Sequence, residues 1–166
     1  DHAPAWLVEC HLRRAFPRSK LVGCSSAGEI AGTSVHDHSL SVAVARFEST
    51  DLATAALQVT SAAESFGAGQ SLARQLQKPS LRALFVLSEG LNVNGSELVR
   101  GLNSTLDPSV VVTGGLSGDG TAFKRTWVAL GDKLTSGLIV AVGFYGDHLV
   151  VGHGSKGGWD KFGPER

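Results

Sequence analysis

Two short words of small residues, each closing on a carboxylate, are where this 166-residue chain is best equipped for chemistry. The first is Cys24-Ser25-Ser26-Ala27-Gly28-Glu29, and the second is Gly114-Gly115-Leu116-Ser117-Gly118-Asp119-Gly120. Each follows an apolar run, Leu21-Val22 in one case and Val110-Val111-Val112 in the other. A third polar cluster, with Ser88, Glu89, Gly90, Asn92 and Asn94, follows residues 83–87. Glycines let a ligand approach the backbone, and exposed N–H groups donate to a carboxylate or phosphate. Glu29 and Asp119 suit an ammonium group, and the hydroxyls of Ser25, Ser26 and Ser117 add neutral hydrogen bonds. Donors for an anion beside carboxylates fit a zwitterion such as an amino acid. The candidate ligand-binding residues are therefore Cys24, Ser25, Ser26, Gly28 and Glu29 in the first word, and Ser88 and Asn92 in the third cluster. The second word adds Gly114, Gly115, Ser117, Gly118 and Asp119. The competing explanation is that these are tight turns packed under neighbouring strands.

Catalytic and metal motifs fit less well. The second word has neither the spacing of a dinucleotide fingerprint nor the Lys-Ser/Thr of a phosphate loop. Gly23-Cys24-Ser25-Ser26-Ala27 approaches a nucleophile elbow, but Ala27 stands where the last glycine belongs. A hydrolase built on Ser25, Ser26 or Cys24 needs a base within hydrogen-bond reach. The histidines are His2, His11, His36, His38, His148 and His153. His36 with His38, and His148 with His153, offer metal-ligand pairs without a third ligand at zinc-like spacing.

These words sit at the carboxyl ends of expected strands, which is where open α/β sheets bind ligands. A helix is expected first, entered at Pro4, with Val8, Leu12, Ala15 and Phe16 on one face and Pro17 at its end. Residues 40–47 alternate, with Leu40, Val42 and Val44 on one side, and residues 53–60 form a second extended run. The link around Ser49, Thr50 and Asp51 suits a hairpin between the two. Ser61-Ala62-Ala63-Glu64 reads as a capping box, and the helix behind it stops at Lys78-Pro79, its first turns weakened by Gly67 and Gly69. Residues 83–87 predict a strong strand. Asn94 caps a helix with Leu98, Leu102 and Leu106 on its apolar stripe. Residues 110–112, 126–130, 138–145 and 149–153 are read as further strands.

The halves share an order of elements. Residues 21–29 and 111–119 both run from an apolar strand through small residues to glycine and a carboxylate. Residues 40–47 and 138–145 then repeat a Leu-x-Val-Ala-Val pattern. This predicts an internal duplication, approximately 4–78 and 82–158. It also leads us to expect an opening strand before Asp1, since the second copy begins with the 83–87 strand and the first begins with a helix. The fold expected is α/β, or α+β with mixed sheets, from two β-α-β-β-β units. Two sheets packed face to face with helices outside is favoured over one long mixed sheet.

Composition narrows the function classes. Hydrophobic residues make up 42%, charged residues 18%, and the formal net charge is zero. That balance favours neither nucleic acid nor an anionic membrane as partner. Arg13, Arg14, Arg18 and Lys20 read as a solvated helix end. Cys10 and Cys24 lie in no motif and are expected as free thiols of a reducing compartment. No apolar stretch approaches the ~20 residues of a membrane span. A chain opening on Asp1 and lacking methionine is read as a fragment or a processed form.

At Val22-Gly23-Cys24-Ser25-Ser26-Ala27-Gly28-Glu29-Ile30, at residues 40–47, and at Gly114 to Gly120 with Phe123 and Thr126, the chain resembles the amino-terminal part of the FIST sensory domain. The resemblance runs from about Ala5 to Gly158. Ser26 stands where that family usually has threonine, a change that keeps the hydroxyl. The resemblance implies a non-catalytic, cytoplasmic sensory domain of signal-transduction proteins that binds small ligands such as amino acids. It implies as partners a carboxy-terminal FIST domain and a signalling output domain or protein. No cofactor is expected. A haem-binding nitric-oxide sensor is the alternative the resemblance leaves open.

Overall fold

A computed structural model gives the fold, and it describes residues 11–152 and 154. The entry to the first helix near Pro4, Cys10, His2 and His153 lie outside the described residues. Residues 11–15 are helical. The strands in chain order are β1 (Val22–Cys24), β2 (Glu29–Ala31), β3 (Ser34–His36), β4 (Asp51–Gln58), β5 (Leu81–Ser88), β6 (Val111–Leu116), β7 (Val128–Leu130), β8 (Lys133–Thr135) and β9 (Leu138–Tyr145). Two helices, α1 (Ser65–Leu76) and α2 (Gly95–Asn103), separate β4 from β5 and β5 from β6.

The central sheet has the order β4-β9-β5-β6. β9 is antiparallel to both its neighbours, and β5 and β6 are parallel, joined by the crossover through α2. The sequence Leu-Ile-Val-Ala-Val-Gly-Phe-Tyr explains why β9 sits in the middle. It carries no charge and no turn residue until its end, so it tolerates burial on both faces. Ile139 and Ala141 face a core built with α1 and α2, in which Leu72, Leu84 and Leu102 are fully buried. Each such side chain contributes roughly 1.5–3 kcal/mol by leaving water. Leu138 and Val140 face the other way, onto Val128 with Val22, Cys24 and Leu130.

That second core joins the central sheet to a three-stranded sheet, β1-β7-β8. The chain is thus a mixed α+β fold in which two sheets pack face to face and α1 and α2 cover the outer face of the larger one. The helices lie very close together. A Cβ on Gly69 would stand 2.3 Å from the Leu98 carbonyl oxygen, and one on Gly101 would stand 2.1 Å from that of Phe66. Gly69 costs helix propensity but permits this crossing.

Several expectations need correction. Among the described residues, 40–47 form no strand and belong to no sheet, so the expected hairpin with residues 53–60 is not seen. β4 pairs with β9 instead, in an eight-rung ladder from Asp51–Tyr145 to Gln58–Leu138. Alternation describes how side chains divide between two faces, but a strand also needs a neighbour for its backbone groups. Residues 149–152 are likewise outside any strand, and Val150 is 92% exposed. The expected turn from Gly114 begins three residues later, because Gly114, Gly115 and Leu116 belong to β6. The capping box is half made. Glu64 accepts hydrogen bonds from the Thr60 and Ser61 hydroxyls and from the Thr60 N–H, while the Ser61 side chain caps no backbone N–H. Asn94 does cap α2, its Oδ1 accepting from the Glu97 N–H at 3.1 Å. The hairpins β2–β3 and β7–β8 add strands at 29–31, 34–36 and 133–135 that alternation did not announce.

Candidate functional site

β5 and β6 run parallel, so Ser88 and Leu116 end at the same edge of the sheet, paired in the last rung of their ladder. The three polar segments expected at strand ends meet there. The Ser117 N–H donates to the Ser88 carbonyl at 2.7 Å, and the Gly118 N–H donates to the Ser25 carbonyl at 3.1 Å. Ser25 is also tied to the run-in of β7. Its N–H donates to the Trp127 carbonyl at 3.0 Å, and its Oγ accepts from the Trp127 N–H at 3.1 Å.

A buried carboxylate stands behind this junction. Glu89 is 1% exposed. Its Oε1 accepts from the Leu91 N–H at 2.9 Å and from the Thr126 hydroxyl at 2.8 Å, and its Oε2 accepts from the Asn92 N–H at 2.6 Å. The Thr126 Oγ1 accepts in turn from the Gly90 N–H. The packing is tight enough that a Cβ on Gly90 would stand 2.0 Å from the Ser117 carbonyl oxygen. Glu89 and Thr126 were not among the residues the sequence singled out as binding. Their signal was weak: a carboxylate and a hydroxyl directly beside the apolar strands 81–88 and 128–130.

One polar atom at the junction is left over. Ser117 is 6% exposed, and its Oγ has no hydrogen-bond partner among the described residues. A buried hydroxyl without a partner costs roughly 1–3 kcal/mol, so such an atom calls for an occupant or a role.

The other predicted residues divide into those the junction includes and those with local work. Cys24 ends β1 opposite Val128 and is half-buried; burial, and then the nearby Glu29 charge, push its thiol above the usual range. That keeps it a neutral thiol and a poor nucleophile. Ser26 donates to Glu29 Oε1 and accepts from the Gly28 N–H. Glu29 opens β2 opposite His36. Gly28 takes a φ of +149° beside Val35. Ser88 is buried, its hydroxyl donating to the Glu89 carbonyl, whereas the Asn92 side chain is exposed. Gly114 is a structural glycine: its φ is +136°, and a Cβ there would stand 1.9 Å from the Val86 carbonyl oxygen. Gly115 has open space around its Cα.

Asp119 does not simply wait for an ammonium group. Its carboxylate accepts from the backbone N–H groups of Phe123, Lys124 and Arg125 and so closes its own loop. Those N–H groups, Arg125 and Lys124 foremost, hold its carboxyl below the usual range.

Two concavities are lined by residues outside the predicted set. One is a shallow surface along α2, lined by Gly95, Ser96, Val99, Arg100 and Asn103. The other is a groove between residues 12–21 and residues 42–45. Among the described residues no three His, Cys, Asp or Glu side chains are grouped to hold a metal ion. No described helix is long and apolar enough to cross a membrane.

The family model of the FIST N domain matches residues 2–166. The chain therefore belongs to the FIST family, whose domains are sensory modules of signal-transduction proteins. A search of curated proteins finds no match.

Proposed function

We propose that the chain is a non-catalytic ligand sensor whose small polar ligand, an amino acid in the first instance, binds where the ends of β1, β5 and β6 meet. The observation that carries this is the buried Ser117 hydroxyl, left without a partner at that junction. A ligand oxygen or ammonium within reach would satisfy it and recover the cost of its burial. Among the described residues Glu29 accepts the Ser26 hydroxyl, which leaves lone pairs for a ligand ammonium. The hydroxyls themselves argue against hydrolysis: Ser25 Oγ accepts a backbone N–H, and Ser26 Oγ donates to a carboxylate rather than to an imidazole.

The junction ties the ends of both sheets together through the Gly118 N–H and the Ser25 carbonyl, with Trp127 beside Ser25 and Ser88 beside Ser117. A ligand that binds one arrangement of these ends better than another shifts the balance between the sheets. In the proposed setting, the cytoplasm, a carboxy-terminal FIST domain and an output partner read that shift.

Thermal unfolding with a panel of amino acids tests the proposal. At a ligand concentration 100 times Kd, stabilisation is about 2.7 kcal/mol, or roughly 5–10 °C in a domain of this size. Ser117→Ala is expected to reduce the shift. No shift with any amino acid, in a chain that unfolds cooperatively, contradicts the proposal.

A further inference from the structure

Among the described residues Glu89 is the one buried carboxylate. Taking a carboxylate out of water is costly, and buried ionic groups are weak sources of net stability. Its presence beside the strand ends is better explained by the geometry it imposes. The groups it faces are donors, the Leu91 N–H and the Thr126 hydroxyl on Oε1 and the Asn92 N–H on Oε2. Bonds of this kind to a charged acceptor are the strong ones. An amide would not replace it. In either orientation its NH2 group would meet a backbone N–H, that of Leu91 or that of Asn92.

What these bonds hold is Gly90. The Thr126 hydroxyl donates to Glu89 and accepts from the Gly90 N–H at 2.9 Å. The Gly90 backbone is in turn the surface on which the Ser117 carbonyl rests, since a Cβ there would stand 2.0 Å from that oxygen. Thr126 has a second reach. Its own carbonyl is fixed by the Ser136 hydroxyl at 2.7 Å. Its neighbour Trp127 holds Ser25 through two hydrogen bonds, and the Ser25 carbonyl accepts from the Gly118 N–H. Ser117 and Gly118 are thus gripped from two sides, by Gly90 and by Ser25, and both grips lead back to the Glu89–Thr126 pair. We propose that Glu89 is the positioning residue of the strand-end site. Its carboxylate fixes Gly90 and Thr126, and through them sets where the Ser117 hydroxyl stands. It acts without touching the ligand. This role rests on the strand-end ligand reading only in its last step, what the positioned hydroxyl binds.

Amide hydrogen exchange on the 1–166 chain, without ligand, tests the positioning in Glu89→Gln, Thr126→Val and Thr126→Ser. The readout is the amides of Ser117 and Gly118, whose acceptors lie elsewhere, on Ser88 and Ser25. The β9 amides report on the whole fold. In Glu89→Gln and Thr126→Val the Ser117 and Gly118 amides are expected to exchange at least about tenfold faster, the effect of losing roughly one hydrogen bond, while β9 stays within about twofold. Thr126→Ser keeps the hydroxyl and is expected to match the wild type. If Glu89→Gln does not fold, the valine and serine variants decide the question. Unchanged Ser117 and Gly118 amides in Thr126→Val would overturn the proposal. So would β9 amides accelerated as much as these two, or a serine variant as damaged as the valine one. Amino-acid titration separates this role from the ligand reading. A wild type that binds no amino acid contradicts the ligand reading and leaves the exchange result standing. An amino acid that binds the wild type is expected to bind Thr126→Val about tenfold more weakly, and equal binding would overturn the positioning role.

Discussion

β9 and residues 40–47 show how far one sequence pattern can diverge in fate. Both alternate, both are rich in valine and alanine, and neither contains proline or glycine in its first five positions. β9 has a strand on each side and a core on each face, and Ile139, Val140 and Ala141 are at most 1% exposed. Residues 40–47 are exposed and pair with no strand among the described residues. Phe47 makes an edge-on contact with Phe144, at a centroid distance of 5.7 Å. A strand's stability therefore lies in what flanks it. Intrinsic preference adds a small bias that tertiary context overrides.

Paired substitutions sharpen or break this comparison. The largest effect is expected at the strand ends. Gly114→Ala places a methyl against the Val86 carbonyl in a backbone conformation that L residues avoid, and strain plus overpacking is worth about 2–6 kcal/mol. Gly23 in β1 has nothing within 4 Å of a Cβ, so Gly23→Ala is expected to stay within about 0.5 kcal/mol. Urea unfolding measures both. Equal costs would mean that the two strand ends are packed alike.

Leucine truncation comes next. Leu138 is 8% exposed and Leu40 is 58% exposed. Leu138→Ala is expected to cost about 2–5 kcal/mol as a core cavity, and Leu40→Ala within about 0.5 kcal/mol. A cost above about 1 kcal/mol at Leu40 would show that residues 40–47 already have packing partners.

The smallest effect separates the two carboxylates that close the Gly/Ser words. Asp119 has its folded pKa lowered by the N–H groups of Arg125, Lys124 and Phe123. Its hold on residues 123–125 is therefore complete above the unfolded carboxylate pKa and is lost as pH falls through the lowered folded value. Amide exchange at residues 123–125 is expected to accelerate only at the acid end of that range. Acceleration already near neutral pH would deny Asp119 this role.

Much of the central sheet was legible. β9 occupies residues 138–145 as the pattern predicts, because an uncharged run that opens on five apolar residues fits few places other than a sheet centre. β5 and α2 were equally plain, the latter through Asn94 and the Leu98, Leu102 stripe. Residues 40–47 misled because a periodicity of two records which face a side chain takes and says nothing about a neighbour. Gly114 misled for a related reason: a glycine that ends a strand in a turn and one that lets two strands crowd together look the same in sequence. Within the site, Ser25, Ser88, Ser117 and Gly118 were recognisable as strand ends. Glu89 was legible only as part of a polar strand end and Thr126 only as part of an expected strand, since their pairing is a hydrogen bond between residues 37 positions apart in the chain.

The strand-end junction is tested most directly by following the backbone amides of residues 25–28, 89–92 and 117–120 while single amino acids are titrated in. The expected result is that at least one amino acid shifts all three groups saturably with a common Kd, and that Ser117→Ala weakens that Kd about tenfold, the equivalent of one hydrogen bond of about 1.4 kcal/mol. Shifts confined to the α2 surface at Gly95 and Arg100, or no saturable shift with any amino acid, would contradict it.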